Sequence, residues 1–300
     1  MSCMDKTTDQ TNPIDDSKPE DDRPEELMRI EAACRFLEAN LDEDPPLDAV
    51  ARAAHYSPFH FHRLFRGLTG ETVRGYARRI RLERSAYRIV HSDDELLNIA
   101  LDAGYGSHEA FTRAFSKQFG IAPSTYRSEK QDPRPVASTQ RLPLSEVRIE
   151  KRTPCTLACV RHVGPYSDVG RAWKSLMKWG WAKLVFGKAQ TFGLSYDDPD
   201  VTDPQHVRYD ACMVVKDGTR TKREVLTQPF DGGYFAVTVH EGPYVTLGET
   251  YARLFAHIVT HPISGRRWRL GDPPSLEHYL NDPRKTAPEA LRTEVMMRVK

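Results

Sequence analysis

The sequence predicts a multidomain chain of two structural classes. An all-α domain of two helix-turn-helix units comes first, followed by an α+β domain with two pseudo-symmetric strand–helix halves. Three observations predict it. Residues 51–70 recur at 100–120, with an offset of 49 that becomes 50 after a serine. Residues 162–176 recur at 240–254 with an offset of 78, and a stretch containing Pro133, Pro135 and Pro143 separates the two repeats.

The ends and the composition set the frame. A chain of 300 residues holds two cores of ordinary size, and 39% hydrophobic with 28% charged residues excludes a disordered, collagen-like or polytopic membrane chain. The formal net charge of +1 is an average over unlike segments. Residues 1–44 carry a net −9, residues 45–130 a net +4 and residues 131–300 a net +6. Asp15, Asp16, Glu20, Asp21 and Asp22, set among Pro13, Pro19 and Pro24, read as a disordered acidic leader over 1–24. It has no apolar core of a signal peptide, and no run of 18 apolar residues follows, so the expectation is a cytoplasmic chain with no membrane partner. Five scattered cysteines (Cys3, Cys34, Cys155, Cys159, Cys212) lack a C-x-x-C pair and read as reduced, mostly buried thiols. His55, His60 and His62 have no completing ligand, so neither metal nor cofactor is expected.

In the first repeat, Ala51-Arg52-Ala53-Ala54-His55-Tyr56-Ser57 matches Ala100-Leu101-Asp102-Ala103-Gly104-Tyr105-Gly106-Ser107. Phe61-His62-Arg63-Leu64-Phe65 matches Phe111-Thr112-Arg113-Ala114-Phe115, and Gly70 matches Gly120. Each copy reads as a short helix, a tight turn and a second helix. Ser57 is placed as N-cap with Pro58 at the first helical position, and Ser107 caps the second copy. Phe61, Leu64, Phe65 and Leu68 form an inner face at i, i+3, i+4, i+7, as do Phe111, Ala114, Phe115 and Gln118–Phe119. The opposite faces carry Phe59, His62, Arg63 and Arg66, then His108, Glu109, Thr112 and Arg113. The phenylalanines are core residues. A lone surface arginine is ordinarily just solvated, but Arg63 and Arg113 recur at one position of both copies, and arginine grips guanine bidentately.

With the lead helix Leu27–Leu41, the joining helix Tyr76–Ile89 and the closing run Gly120-Ile121-Ala122-Pro123-Ser124-Thr125-Tyr126-Arg127, this segment resembles the DNA-binding domain of the AraC/XylS transcription regulators. The domain is set at 25–130. The resemblance implies double-stranded promoter or operator DNA as partner, read by two helices about 34 Å apart along one DNA face. Carried over by position, the base-reading residues are Phe59, His62, Arg63, His108, Glu109, Thr112 and Arg113, with Glu109 conditional on accepting from a cytosine amine. His55 stands where the family usually has the glycine seen at Gly104, and so is expected at positive φ.

Residues 131–144 read as a linker, and an α+β domain follows over 145–300. His162-x-Gly164-Pro165-Tyr166 matches His240-x-Gly242-Pro243-Tyr244, Trp173 matches Tyr251, and Leu176 matches Leu254. Strands are predicted at Val147–Glu150, Leu157–Val163, Tyr209–Val215, Tyr234–Glu241, Leu276–Leu280 and Thr293–Val299. A cleft between two related halves is a ligand site lined by Tyr166, Trp173, Tyr244, Tyr251 and Tyr279 with Glu277. Glu277 and Tyr279 share a strand face, and a carboxylate among aromatic rings suits a cation. The residues alone leave open that these aromatics are sheet core and Glu277 a surface carboxylate.

Residues 146–300 resemble the GyrI-like effector-binding domain. The marks are Gly193-Leu194-Ser195-Tyr196-Asp197-Asp198-Pro199, Arg208-Tyr209-Asp210-Ala211-Cys212, Gly232-Gly233-x-Phe235-Ala236, and Pro274-Ser275-Leu276-Glu277-x-Tyr279 through Asp282-Pro283 to Thr293-Glu294. The resemblance implies an organic cation held by Glu277, with Asp198-Pro199 and Asp282-Pro283 as turn formers. The function expected is a ligand-responsive transcription regulator, not an enzyme, with RNA polymerase as a further partner through changed domain docking or contact. Two alternatives stand beside it: a carboxy-terminal module for protein partners or oligomerisation, and a hydrolase of small electrophiles with Glu277 as base.

Overall fold

Apolar residues at i, i+3, i+4 and i+7 turn α1 (Glu25–Ala39) inward through Ile30, Ala33, Cys34 and Leu37. The computed structural model describes residues 25–130, 146–186, 190–221 and 224–300, without the side chains of 181–186; the acidic leader 1–24 and the linker 131–144 lie outside the described residues. The lead helix ends at Ala39, two residues short of the expected end, and Leu41–Glu43 form a 3₁₀ turn. Then come α2 (Leu47–Ala53) and α3 (Pro58–Thr69), the long α4 (Val73–His91), α5 (Leu96–Asp102) and α6 (His108–Phe119), and α7 (Pro123–Lys130).

α4 serves two cores. Its first half gives Val73, Tyr76, Ala77 and Ile80 to a core with Phe61 and Phe65, and its second half gives Leu82, Ala86 and Ile89 to one with Phe111, Phe115 and Tyr126. The two turns close in the same way: Tyr56 N–H donates to Ala51 C=O at 3.0 Å, and Tyr105 N–H to Ala100 C=O at 3.0 Å. His55 has φ 56° where Gly104 has 81°, the left-handed conformation expected of it. Ser57 and Ser107 stand at the N-caps as expected; Ser57 makes no side-chain hydrogen bond there, whereas Ser107 accepts from Ala110 N–H. Two other local expectations need correcting. Leu68 is exposed, because the buried stripe of α3 has narrowed to Phe61 and Phe65 by its last turn. Gln118 is exposed as well, and its amide donates to the Arg79 carbonyl at 3.4 Å.

The second part is one antiparallel sheet with strands in the order β1-β6-β8-β7-β3-β4-β2-β5. They are β1 (Arg148–Arg152), β2 (Cys155–Val163), β3 (Thr191–Ser195), β4 (Arg208–Val215), β5 (Leu226–Phe230), β6 (Gly233–Glu241), β7 (Ser275–Tyr279) and β8 (Arg292–Val299). The order is its own mirror about the β7–β3 boundary, which is the pseudo-two-fold axis. Gly193 of β3 and Glu277 of β7 are direct partners across it. α8 (Gly170–Phe186) packs Ala172 and Leu176 on Val160, Ala211 and Met213, while α9 (Leu247–Thr260) packs Leu254 and Ile258 on Ala236, Val295 and Met297. Among the described residues no helix is long and apolar enough to cross a membrane.

The opposite sheet face meets α1 through buried charges. Arg35 of α1 donates to both oxygens of Asp210 at 2.8 and 2.9 Å, and Arg161 donates to the same carboxylate at 2.6 Å. Glu38 of α1 accepts from Arg161 at 3.0 Å and from the Tyr76 hydroxyl at 2.5 Å, with Arg208 at 3.3 Å. Burial alone would raise the Glu38 carboxyl, but the guanidiniums of Arg161 and Arg208 hold it down at about 2. Replacing Glu38 by Gln removes the anion from between two buried cations. The expected loss is about 3 kcal/mol in urea denaturation, and a loss below about 1 kcal/mol overturns this role. A depressed acid stabilises above its unfolded value, so the Glu38 contribution is complete above pH 4.5 and fades as the pH falls toward 2. Acid unfolding followed by circular dichroism reads that window.

Candidate functional site

Two surfaces carry candidate chemistry. On α3, Phe61 and Phe65 are fully buried with ring centroids 5.4 Å apart, which turns Phe59, His62, Arg63 and Arg66 to solvent. Phe59 is 77% exposed and lies 6.0 Å beneath the Arg63 guanidinium. On α6, Glu109 and Arg113 are exposed and His108 is half-buried. Thr112 differs from its expected outward position: it is half-buried, and its hydroxyl is buried without a hydrogen-bond partner. It stands beside Phe111 and one turn before Phe115, at the edge of the core face. The Glu109 carboxyl is held below its usual range by a backbone hydrogen bond and the Ser107 hydroxyl, both features of the helix start.

The second surface is the cluster around Glu277, on the helix-covered side of the sheet. Alternation along β7 puts Ser275, Glu277 and Tyr279 on that side. Glu277 is 7% exposed. Its Oε1 accepts from Ser195 of β3 at 3.1 Å and from Tyr251 of α9 at 3.0 Å, and its Oε2 accepts from Tyr279 at 2.5 Å. The Tyr279 and Tyr209 hydroxyls lie 2.7 Å apart, and Trp173 of α8 donates its indole N–H to Tyr209 at 3.1 Å. The rings of Trp173 and Tyr244 each stand edge-on to Tyr279, with centroids 5.3 Å away. Tyr166 packs edge-on to Tyr209 at 6.0 Å and donates to the Asp197 carbonyl at 2.8 Å. All six residues named from the sequence therefore meet in one cluster.

Burial pushes the Glu277 carboxyl up, against the pull of the Tyr279, Tyr251 and Ser195 hydroxyls. No lysine or arginine among the described residues pairs with it. The cluster is thus a buried carboxyl met by hydroxyl donors and walled by aromatic rings.

Ser195, Tyr209 and Gly193 belong to stretches marked in the sequence but are not among its expected site residues. A Cβ at Gly193 would sit 2.0 Å from the Tyr209 hydroxyl, so the glycine makes room for the tyrosine that orients Tyr279. The signal for Gly193 was its place opposite Glu277 across the repeat axis, which is legible only once β3 is recognised as a strand.

Other features are less suited. Cavities of about 460 and 200 Å³ lie elsewhere, the larger between α4, α6 and residues 201–206, the smaller on the far sheet face around Phe192 and Phe230. Neither of these two is lined by Glu277. Cys159, Asp210 and Cys212 bring ligand atoms within 4.8 Å of one another. Two guanidiniums already hold the Asp210 oxygens, and that positive surround disfavours a metal ion.

A family model described as the GyrI-like small molecule binding domain matches residues 145–300, and one described as a helix-turn-helix domain matches residues 50–129. The chain is 40% identical over 96 residues to the transcriptional regulator Rob of Salmonella typhimurium, covering 32% of this chain and 33% of that protein. It therefore spans about a third of the length of that relative. It is 37% identical over 110 residues to the transposon Tn10 TetD protein of Escherichia coli, covering 37% of this chain and 80% of that protein. Among solved structures, the EcmrR C-terminal domain is 17% identical with a TM-score of 0.42, covering 53% of this chain and 99% of that one.

The packing around Gly193 is testable. Gly193→Ala should drive Tyr209 from its place and lower stability by about 1–3 kcal/mol in urea denaturation. Gly248→Ala on α9, where an added Cβ meets nothing within 4 Å, should instead stabilise by about 0.5–1 kcal/mol. Equal effects at the two sites would show that the Tyr209 contact is not what Gly193 serves.

Proposed function

We infer the function from one premise: the chain belongs to the GyrI-like small molecule binding family, and its helical part is an AraC-type DNA-binding domain. We propose a cytoplasmic, sequence-specific transcription regulator in which α3 and α6 read promoter DNA and the Glu277 cluster senses a small aromatic cation. The observation that carries the ligand class is the Glu277 carboxylate, buried, without a cationic partner among the described residues, and surrounded by Tyr166, Trp173, Tyr244, Tyr251 and Tyr279. A desolvated anion gains most from a cation that brings its own weakly hydrated charge, and ring faces add to that gain. Entry of such a ligand requires Tyr279 or Tyr244 to swing aside, and the cation then takes over the charge that three hydroxyls now solvate.

The reading is of a sensor rather than an enzyme, because both Glu277 oxygens already accept hydrogen bonds and the group acts as a fixed charge. On the DNA side, Phe59, His62, Arg63, His108, Glu109, Thr112 and Arg113 face the bases. Thr112 contributes less than the others because its hydroxyl is turned inward. A ligand changes output only by binding the active and inactive arrangements unequally, and RNA polymerase is the partner to which such a change is passed.

Two measurements test the reading. Arg63→Ala and Arg113→Ala should each cost about 1–3 kcal/mol of base discrimination on DNA selected by the purified chain, read by fluorescence anisotropy. Unchanged affinity in both sinks the assignment. Glu277→Gln should weaken benzyltrimethylammonium binding at least about tenfold in titration calorimetry, as expected for losing a desolvated charge pair. Because burial raises this carboxyl, wild-type affinity should begin to fall on acidification above the ordinary carboxylate range. A Gln variant that binds the cation as well as wild type would favour a protein-docking role for this domain.

A further inference from the structure

The stretch Gly193-Leu194-Ser195-Tyr196-Asp197-Asp198-Pro199 was singled out in the sequence, yet the ligand cluster uses only its first part. The remainder leads from β3 into β4 across the face that meets the helices. Ser195 donates to Glu277 at 3.1 Å, and the Asp197 carbonyl accepts from Tyr166 at 2.8 Å, so the start of this segment is anchored in the ligand cluster.

Its next side chains face the other way. Tyr196 donates to Asp210 at 2.8 Å, the carboxylate that also holds Arg35 of α1. Asp197 grips Arg208 at 2.6 and 2.8 Å, and Arg208 reaches Glu38 of α1, which is itself bonded to Tyr76 of α4. These contacts hold the first helix-turn-helix unit.

Further along, the segment reaches the second unit. Asp198 Oδ2 lies 3.4 Å from His91 Nε2 at the end of α4, and the His91 ring stands edge-on to Phe255 of α9 at 4.4 Å. Val201 packs into the second apolar core, which holds Phe111, Phe115, Phe119 and Tyr126. One short segment thus touches the ligand cluster and both reading units.

We propose that Ser195–His206 is a positioning element that ties the state of the Glu277 cluster to the separation of the two reading helices. The inference rests on the ligand-sensing reading above and adds the route by which that site is heard. A cation at Glu277 competes with the Ser195 hydroxyl for Oε1. Releasing that bond frees the start of the segment, whose far contacts set α1 and α4 against the core of the second unit. Two helices that must enter successive major-groove segments tolerate little change in separation, so a small shift is read as affinity.

The test uses the full chain, the DNA it selects, and two versions of that DNA with a base pair added or removed between the contacted segments. Wild type should prefer the native spacing by about tenfold, comparable to the cost of a mismatched base pair. Val201→Ser and Ser195→Ala should each bring that preference down to about threefold or less, while circular dichroism shows an intact fold. Benzyltrimethylammonium should shift the wild-type preference in the same direction. Val201→Ile, which keeps the apolar contact, should restore the preference, and Gln205→Ala, exposed on the same segment, should leave it as in wild type. The proposal is overturned when Val201→Ser and Ser195→Ala both retain the wild-type preference, or when wild type shows none. A chain that selects no DNA at all overturns the functional reading instead.

Discussion

Three guanidiniums and four carboxylates meet where α1 crosses the sheet, and none of them is tolerable there alone. Arg35, Arg161 and Arg208 face Glu31, Glu38, Asp197 and Asp210, with Tyr76, Tyr196 and Gln228 supplying the remaining hydrogen bonds. Removing a carboxylate from water costs several kcal/mol, and only close pairing with good geometry offsets it. The Asp210 carboxyl shows the balance: burial raises it, yet Arg161 and Arg35 hold it well below the usual range. Such a network adds little net stability over an apolar contact. Its consequence is registry, since sliding α1 by one turn would strand every member without a partner.

That registry matters because the sheet is built as two copies and its symmetry has been broken at one place. Glu277 and Gly193 face each other across the axis, so a strictly repeated sequence would place two carboxylates side by side. Like charges at that distance cannot both ionise in a buried site. Glycine at one position removes the conflict and opens room for Tyr209, whose hydroxyl meets that of Tyr279, the donor to the remaining carboxylate. The same axis that doubles the fold thereby yields a single charged site.

Much of this was legible in the sequence, and what escaped did so for physical reasons. The helix-turn-helix units were visible because their signals are local: capping serines, phenylalanines at i and i+4, and a left-handed turn residue in each copy. β3 escaped because it is five residues long with a glycine at its centre, and β5 because Pro229 sits in an edge strand, where a missing N–H costs no ladder bond. The domain interface was illegible altogether. Arg35 and Glu38 look like the solvated face of an amphipathic helix, and their partners on the sheet lie more than a hundred residues away in sequence. Segment charge misled in the same way, for Arg79, Arg81, Arg84 and Arg88 of α4 are all paired with carboxylates. Exposed Arg63, Arg66 and Arg113 on α3 and α6 are among the cations that remain for DNA, together with exposed Arg52, Arg74, Arg78 and Lys117.

Buried carboxylates of this chain differ in what meets them: burial raises Glu83 to about 7 even beside Arg79, so what sets Glu277 apart is its partners and not the direction of its shift. Asp210 and Glu38 are each met by two arginines, and their carboxyls are pulled down, so they stay charged and satisfied in the molecule as it stands. Glu277 is equally enclosed but is met only by hydroxyls, and burial prevails. Hydroxyls solvate a carboxylate without neutralising it, which leaves a charge that an incoming cation can match better than the protein does. A chain that places arginines on Asp210 and Glu38 of the opposite sheet face and none among the described residues on Glu277 has left one interaction to be completed from outside. Only the segment that touches both, from Ser195 onward, lies between the unsatisfied carboxylate and the satisfied ones.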